Sequence, residues 1–257
     1  MPADAAELPA GGLAATVRGR GRRLVLVHGF TQTGRSWDAV ADHLAVDHEI
    51  VAVDAPGHGG SAAIEADLPA GAERLGVTGG RATYVGYSMG GRLCLHLAVA
   101  RPDLVERLVL VSATGGIDDP GERQARRDAD ESLAATIERD GLEPFLQRWV
   151  AQPMFAGLPD PDLDDRRRNT GAGLAASLRL AGTGTQQPLW PQLPVLDVPV
   201  LLVAGAHDAK FVAAAERMAG LLPRPTLAVV ADAGHTVHLE QPAAFLAVLD
   251  RWLAATT

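Results

Sequence analysis

Six short apolar runs recur along the chain, and segments with helical spacing of their hydrophobic residues lie between most of them. Several runs are continuous in leucine or β-branched residues, which is typical of strands buried on both faces of a sheet. Their alternation with helices predicts an α/β fold with a mostly parallel, doubly wound sheet and helices on both faces. The predicted strands are Leu24–Val27, Ile50–Asp54, Thr83–Tyr87, Arg107–Ala113, Val200–Gly205 and Thr226–Ala231. The predicted core helices are Ser36–Ala45, Met89–Ala100, Val212–Leu222 and Ala243–Ala254.

The alternation stops over residues 114–189, which contain helical patterns only. Four helices are predicted there: Glu122–Arg139, Leu142–Val150, Leu163–Asn169 and Leu174–Ala181. Helices inserted between two strands of a parallel sheet lie over the carboxyl ends of the strands, where open sheets bind ligands. We therefore expect a single domain over residues 1–257. Its core comprises residues 1–113 and 190–257, and residues 114–189 form a helical lid.

Length and composition narrow the class of protein. The 257 residues are 47% hydrophobic and carry a formal net charge of −8, which argues against the basic face that a nucleic-acid-binding protein needs. No apolar run reaches the roughly 18 residues of a membrane span, and Met1–Leu13 lacks the pattern of a secretory signal. A single cysteine excludes a disulfide framework and a cysteine-based metal site. We expect a cytoplasmic monomer that binds neither membranes nor nucleic acid.

The sharpest chemical signal is Gly86-Tyr87-Ser88-Met89-Gly90, which directly follows a predicted strand and directly precedes a predicted helix. This is the G-x-S-x-G pattern of a nucleophile elbow, a turn so tight that small residues must flank the serine. The serine hydroxyl then projects above the sheet edge at a helix N-terminus. The placement favours a nucleophilic serine over a serine that only caps a helix.

A nucleophilic serine needs an adjacent imidazole and an orienting carboxylate. Behind a nucleophile elbow these partners follow in the order Asp, His along the chain. Asp208 and His235 each come just after a predicted strand, so both are expected at the same sheet edge as Ser88. The competing residues are His207 and His238 for the base, which we interpret as local neighbours, and Asp118 or Asp119 for the acid.

Backbone amides are the predicted means of stabilising negative charge above the serine. His28-Gly29-Phe30 ends the first strong strand, and the N–H of Phe30 can converge with that of Met89 to form an oxyanion hole. We interpret His28 as a structural loop histidine. The turn Asp54–Ser61 at the end of the next strand is interpreted as shaping the floor of the pocket.

Arg92 and two arginine clusters of the lid are candidates for binding an anionic substrate. Arg92 follows Ser88 by one helical turn, and side chains lean toward the helix N-terminus, so its guanidinium can reach back over the elbow and bind a carboxylate. A salt bridge on the helix surface fits the spacing equally well. Arg126 and Arg166 lie in two arginine clusters of the lid, for which charge pairing on a solvated face is the plainer interpretation. When Trp149 is considered by itself, packing of the lid on the core explains it better than contact with a ligand.

Motifs along most of the chain carry a resemblance to a known family. In the N-terminal part they are Val27-His28-Gly29-Phe30, the turn Asp54–Ser61 and the elbow with Arg92. In the lid they are Arg126 four residues before Asp130, Trp149 with Pro153-Met154-Phe155, and Arg166-x-x-Asn169-x-Gly171. Near the end of the chain they are Asp208-x-Lys210-Phe211 and Ala233–His238. From about Leu24 to Leu253 the chain resembles the α/β-hydrolase family. More narrowly, it resembles the 2-succinyl-6-hydroxy-2,4-cyclohexadiene-1-carboxylate synthases of menaquinone biosynthesis. Met1–Leu13 has no counterpart in that pattern.

The resemblance implies a lyase that eliminates pyruvate from an enolpyruvyl-cyclohexene carboxylate that also bears a succinyl group. The substrate is then a small-molecule polycarboxylate, and the reaction requires no metal or organic cofactor. The implied triad is Ser88, Asp208 and His235. The implied carboxylate-binding residues are Arg92, Arg126 and Arg166, and the implied pocket residues are Tyr87, Trp149 and Phe30.

Two other functions use the same residue pattern. A serine esterase or C–C bond hydrolase of an anionic small molecule shares the triad, passes through an acyl-enzyme and has no need of Arg92. A non-catalytic binding protein on this fold usually lacks a member of the triad. All three triad positions are filled in this chain, which favours an enzyme.

Overall fold

The computed structural model describes residues 11–256, and its centre is one seven-stranded sheet in the order β1-β3-β2-β4-β5-β6-β7. The strands are β1 (Ala15–Gly19), β2 (Arg22–Val27), β3 (His48–Val53), β4 (Ala82–Tyr87), β5 (Val105–Val111), β6 (Val200–Gly205) and β7 (Pro225–Val230). Neighbouring strands are parallel except β1 and β3, which are antiparallel. The predicted α/β class and mostly parallel sheet are confirmed.

Helices cover both faces of the sheet, as right-handed crossovers require. The α-helices are α1 (Asp38–Leu44), α2 (Leu68–Gly79), α3 (Met89–Ala100), α4 (Pro120–Asp140), α5 (Leu142–Val150), α6 (Leu163–Arg166), α7 (Gly171–Ala181), α8 (Ala209–Ala219), α9 (Val237–Glu240) and α10 (Pro242–Ala255). Buried residues of α2, α3 and α8 form one core with the sheet. Those of α1 and α10 form a second core on the other face. No helix described between residues 11 and 256 has the length and hydropathy to cross a membrane.

Helices α4 to α7, which we term the helical insertion, lie between β5 and β6 in the chain. They have a small core of their own, which includes Ile137, Phe145 and Leu178. Phe30, in the loop after β2, packs against this core and against the first sheet core. The insertion therefore meets the sheet at the carboxyl end of β2, close to the predicted elbow.

Strand β1, helix α2 and the four-residue helix α9 are absent from the sequence prediction. Strand β1 is a five-residue edge strand whose residues are mostly half-buried, so it lacks a clear hydrophobic alternation. Helix α2 is rich in glycine, which is a poor helix former. Its glycines have a packing role, because a Cβ at Gly71 or Gly76 would press against leucines of α3. Helix α6 is also shorter than predicted, since it ends at Arg166.

Candidate active site

Ser88 occupies a strained turn between β4 and α3. Its backbone has φ +50° and ψ −108°, a left-handed region that a residue with a side chain rarely adopts. A Cβ at Gly86 would lie 2.5 Å from the Gly90 carbonyl oxygen, and one at Gly90 would overlap the Val27 carbonyl oxygen. Both glycines are therefore required by close backbone approach, and the G-x-S-x-G pattern forms the elbow that the sequence predicted.

A hydrogen-bonded chain joins the three predicted catalytic side chains. The Nε2 atom of His235 lies 3.1 Å from Ser88 Oγ, and its Nδ1 lies 2.7 Å from Asp208 Oδ2. Asp208 stands at the N-cap position of α8, but its carboxylate makes no capping bond there. The carboxylate is instead available to orient the imidazole, which is itself almost fully buried.

The competing residues do not belong to this hydrogen-bonded chain. His207 is exposed, whereas His238 is buried and stacks on Trp37 with ring centroids 4.0 Å apart. Burial lowers the pKa of His238 to about 3, so its ring is neutral in the folded protein. Asp118 pairs with Arg217, and Asp119 caps α4 through the N–H of Glu122. Neither of these aspartates is hydrogen-bonded to His235.

Two backbone N–H groups are available for an oxyanion. Within residues 11–256, neither the N–H of Phe30 nor that of Met89 donates to a protein acceptor. Met89 is the first residue of α3, where the helix leaves N–H groups without internal partners and the helix dipole favours negative charge. Both residues line the same cavity as Ser88.

The loop that carries Phe30 is fixed by two buried histidines. His28 donates from Nδ1 to the Gly29 carbonyl, and its Nε2 accepts from the N–H of Ala55 at 3.0 Å. His58 donates to the Pro56 carbonyl and accepts from the N–H of Thr31 at 3.3 Å. Desolvation lowers the pKa of both imidazoles, that of His58 to about 3. They are neutral structural groups, as the sequence predicted for His28.

The helical insertion holds the same loop from the other side, which the sequence did not reveal. Thr31 has φ +70°, and its carbonyl accepts from Asn169 Nδ2 at 2.6 Å. The carboxylate of Asp165 accepts from both the N–H and the hydroxyl of Thr33. Arg166 donates to the Thr31 hydroxyl and, at 2.7 Å, to the Pro161 carbonyl. The Arg-x-x-Asn spacing was the available signal, but it does not show that the partner is this loop.

Between the elbow and the insertion lies a cavity of about 710 Å³. Its walls include most of the predicted site residues: Phe30, Ser88, Met89, Arg92, Arg126, Trp149, Asp208 and His235. Trp149 packs edge-on against Phe30 at 5.1 Å, so it both lines the cavity and joins the insertion to the core. Lys210, Phe211 and Arg217 also line the cavity, although the sequence pattern indicated no role for them.

The arginines of the site differ in how they are held. Arg92 is 7% exposed, so the alternative of a salt bridge on the helix surface is wrong. Its Nη1 donates to the Ala181 carbonyl at 2.8 Å, and within residues 11–256 no carboxylate lies within 4 Å of it. Burial, and secondarily the nearby Arg126, lowers the pKa of Arg92 to about 10, which leaves it charged at neutral pH. Arg126 is bound by Asp130 at 2.8 Å.

Two residues that were predicted to bind substrate, Arg166 and Tyr87, lie behind the cavity wall rather than on it. Arg166 is 2% exposed and is not among the lining residues. Tyr87 is also buried, with its hydroxyl 3.1 Å from Thr236 Oγ1 and its ring 5.3 Å from that of His235. Burial raises the pKa of the Tyr87 phenol, so it is neutral. Tyr87 supports the imidazole from behind, and Arg166 supports the Phe30 loop.

Comparison with known proteins identifies the family of this chain. Residues 24–248 match the model of the alpha/beta hydrolase family. The chain belongs to the alpha/beta hydrolase family. It is 34% identical to a Serratia proteamaculans protein named 2-succinyl-6-hydroxy-2,4-cyclohexadiene-1-carboxylate synthase, over 90% of this chain and 92% of that one. A Klebsiella pneumoniae protein of the same name is 33% identical over 90% of this chain and 94% of its own length.

Solved structures give the same result for the alpha/beta hydrolase fold. The structure of MenH from S. aureus superposes with a TM-score of 0.87 at 28% identity, covering 94% of this chain and 98% of that chain. A thermophilic esterase from Thermogutta terrifontis superposes with a TM-score of 0.80 at 24% identity, covering 99% and 97%. The second likeness concerns the fold alone. Because this alpha/beta hydrolase chain is similar over most of its length to proteins named as synthases, it is an enzyme.

Proposed function

We propose that this enzyme is a lyase that eliminates pyruvate from 2-succinyl-5-enolpyruvyl-6-hydroxy-3-cyclohexene-1-carboxylate and releases 2-succinyl-6-hydroxy-2,4-cyclohexadiene-1-carboxylate. One observation carries the proposal. The serine of a Ser88–His235–Asp208 chain shares a cavity with Arg92, a buried cation that has no carboxylate partner among the described residues. The sequence relatives that bear the corresponding synthase name support the same reaction.

The hydrogen-bonded chain supplies the base. His235 accepts the Ser88 proton, Asp208 stabilises the imidazolium, and the serine oxygen removes a proton next to the succinyl carbonyl. The electrons of the broken C–H bond form an enolate. Its oxygen accepts hydrogen bonds from the N–H groups of Phe30 and Met89. Collapse of the enolate re-forms the succinyl carbonyl and shifts the ring double bond: C=C bonds form at C2–C3 and C4–C5, while the C3=C4 bond becomes single and the C5–O bond to the enolpyruvyl group breaks. The departing group takes up a proton and leaves as pyruvate, so no acyl-enzyme forms.

The cavity accounts for an anionic substrate. The substrate carries three carboxylates, and Arg92 offers a desolvated guanidinium suited to bidentate binding of one of them. Arg126 lines the cavity next to it, with its guanidinium oriented by Asp130. Arg166 contributes through the Thr31 loop rather than from the cavity wall. In this proposal the helical insertion is a lid that covers the reacting atoms. The lid comprises residues 114–189, the boundaries predicted from the sequence.

A coupled assay of pyruvate release from the enolpyruvyl substrate tests the proposal. Wild-type enzyme should release one pyruvate per product formed, and Ser88→Ala should lower kcat by several orders of magnitude while the protein remains folded. Full activity of Ser88→Ala would rule out the serine as base. Steady turnover of p-nitrophenyl esters without pyruvate release would instead indicate a serine esterase or C–C bond hydrolase.

A further inference from the structure

Four cationic side chains line the cavity, and protein acids bind only two of them. Asp130 binds Arg126, and Asp118 binds Arg217. Arg217 also makes a cation–π contact with Trp190, since its guanidinium lies 3.7 Å from the centre of that ring. The remaining two are Arg92 and Lys210. Within residues 11–256, neither has a carboxylate within 4 Å.

Lys210 lies in the first turn of α8, two residues after Asp208. Its side chain is exposed at the cavity, and it donates no hydrogen bond to any of the residues described. Its ammonium is 5.7 Å from the centre of the Phe211 ring, a contact that leaves its three N–H donors free. A cation in the first turn also opposes the helix dipole. The fold thus gains little from a lysine at this position.

Arg92 and Lys210 approach the reacting serine from two different elements. Arg92 is on α3, next to Ser88, whereas Lys210 follows Asp208 on α8. Both line one cavity, so a substrate with carboxylates on separate arms can contact one cation from each of the two helices. An ammonium is a strongly hydrated point charge, which suits a carboxylate at the solvent side of the cavity.

We propose that Lys210 binds one carboxylate of the substrate and thereby selects substrates with more than one acidic arm. This role rests on the proposed function, because it assumes a polycarboxylate in the cavity. Lys210 is a substrate-binding residue here and takes no part in proton transfer. Its loss therefore affects binding of the substrate more than the chemical step.

Kinetics of Lys210→Met and Lys210→Arg test the assignment. We expect Lys210→Met to raise KM for the enolpyruvyl substrate at least fivefold with kcat within twofold of wild type, and Lys210→Arg to recover most of the loss. Arg20→Met removes the same charge at an exposed turn outside the cavity and should leave KM unchanged. The thermal midpoint of Lys210→Met should not fall, because the lysine opposes the dipole of α8. An unchanged KM in Lys210→Met, or an equal rise in Arg20→Met, overturns the proposal.

Chemical labelling separates this inference from the reaction assignment. Lys210 is the only lysine in the chain, so an amine-reactive reagent has one side-chain target, which mass spectrometry distinguishes from the N-terminal amine. Citrate should slow labelling of Lys210, and its neutral triethyl ester should not. Protection by citrate in an enzyme that releases no pyruvate would refute the reaction but retain Lys210 as a carboxylate-binding residue. Equal labelling rates with citrate and with the ester would refute the role of Lys210.

Discussion

Arg92 donates a hydrogen bond to the Ala181 carbonyl at 2.8 Å, and this bond joins α3, which begins at the nucleophile elbow, to α7 of the helical insertion. The carbonyl belongs to the last residue of α7, where helical carbonyl groups lack internal donors. A single guanidinium thus satisfies a helix end and still lines the cavity. The arginine is held in place by a neutral acceptor, so its charge is not cancelled before substrate arrives.

Arg92→Met is expected to lower kcat/KM for the tricarboxylate about tenfold or more, because a charged hydrogen bond in a buried site is lost. The free energy of unfolding should fall by about 2 kcal/mol, the usual contribution of a hydrogen bond that involves a charged group. Steady-state kinetics and urea unfolding on the same preparation separate these effects. Unchanged kinetics would mean that the arginine serves only to join α3 to α7.

Asp208→Asn tests which acid orients the imidazole. An amide at this position cannot stabilise the imidazolium, so kcat should fall by roughly three to four orders of magnitude. Asp118→Asn is the matched control, since Asp118 also lines the cavity but pairs with Arg217. It should change kcat less than tenfold. A larger loss in Asp118→Asn than in Asp208→Asn would reverse the assignment of the acid.

The parts of the site that local sequence predicts are those fixed by chain order. Ser88, Asp208 and His235 each follow a strand of a parallel sheet, so strand prediction alone brings them to one edge. The spacing of Arg92 from Ser88 did not distinguish substrate binding from a surface salt bridge, because i, i+4 geometry does not show whether a helix face is solvated or buried. Its burial depends on α7, which is almost ninety residues away in the chain.

Contacts between the insertion and the sheet could not be derived in this way. Arg166 was expected to bind substrate, but its guanidinium is held by Thr31 and Pro161 behind the cavity wall. A residue 135 positions away supplies one of these partners, and no local pattern specifies it. Strand β1 was missed for a related reason. Its position is set by pairing with β3 rather than by its own hydrophobic pattern.

Asn169 is expected to control the geometry of the oxyanion hole from a distance. Its side-chain amide donates to the Thr31 and Arg166 carbonyls and accepts from the N–H of Gly59. Asn169→Ala leaves these groups unpaired and frees a loop that holds Thr31 at positive φ. We expect kcat to fall about tenfold with little change in KM, since in the proposed mechanism this loop contacts the transition state through the N–H of Phe30. A rise in KM alone would place Asn169 in substrate binding instead.

His238 is expected to make the fold sensitive to acid. Its pKa is about 3 in the folded protein because of burial, against about 6.5 in the unfolded chain. Between pH 3 and pH 6.5, the His238 ring is protonated in the unfolded chain but neutral in the folded protein. The contribution of His238 to the free energy of unfolding is therefore complete above pH 6.5 and is lost as the pH falls toward 3. The loss is at most about 1.4 kcal/mol per pH unit for this one group.

His238→Phe removes that titration with little other change. Both ring nitrogens of His238 lack hydrogen-bond partners among the described residues, and a phenyl ring can keep the stacking on Trp37. Urea unfolding from pH 7 to pH 4.5 should therefore show a shallower loss of stability in this variant than in wild type, by up to about 1.4 kcal/mol per pH unit. His43→Gln, at an exposed histidine, is the control and should change the slope less. Parallel stability curves for His238→Phe and wild type would show that the His238 ring takes up its proton equally well in the folded and unfolded states, which would contradict the prediction.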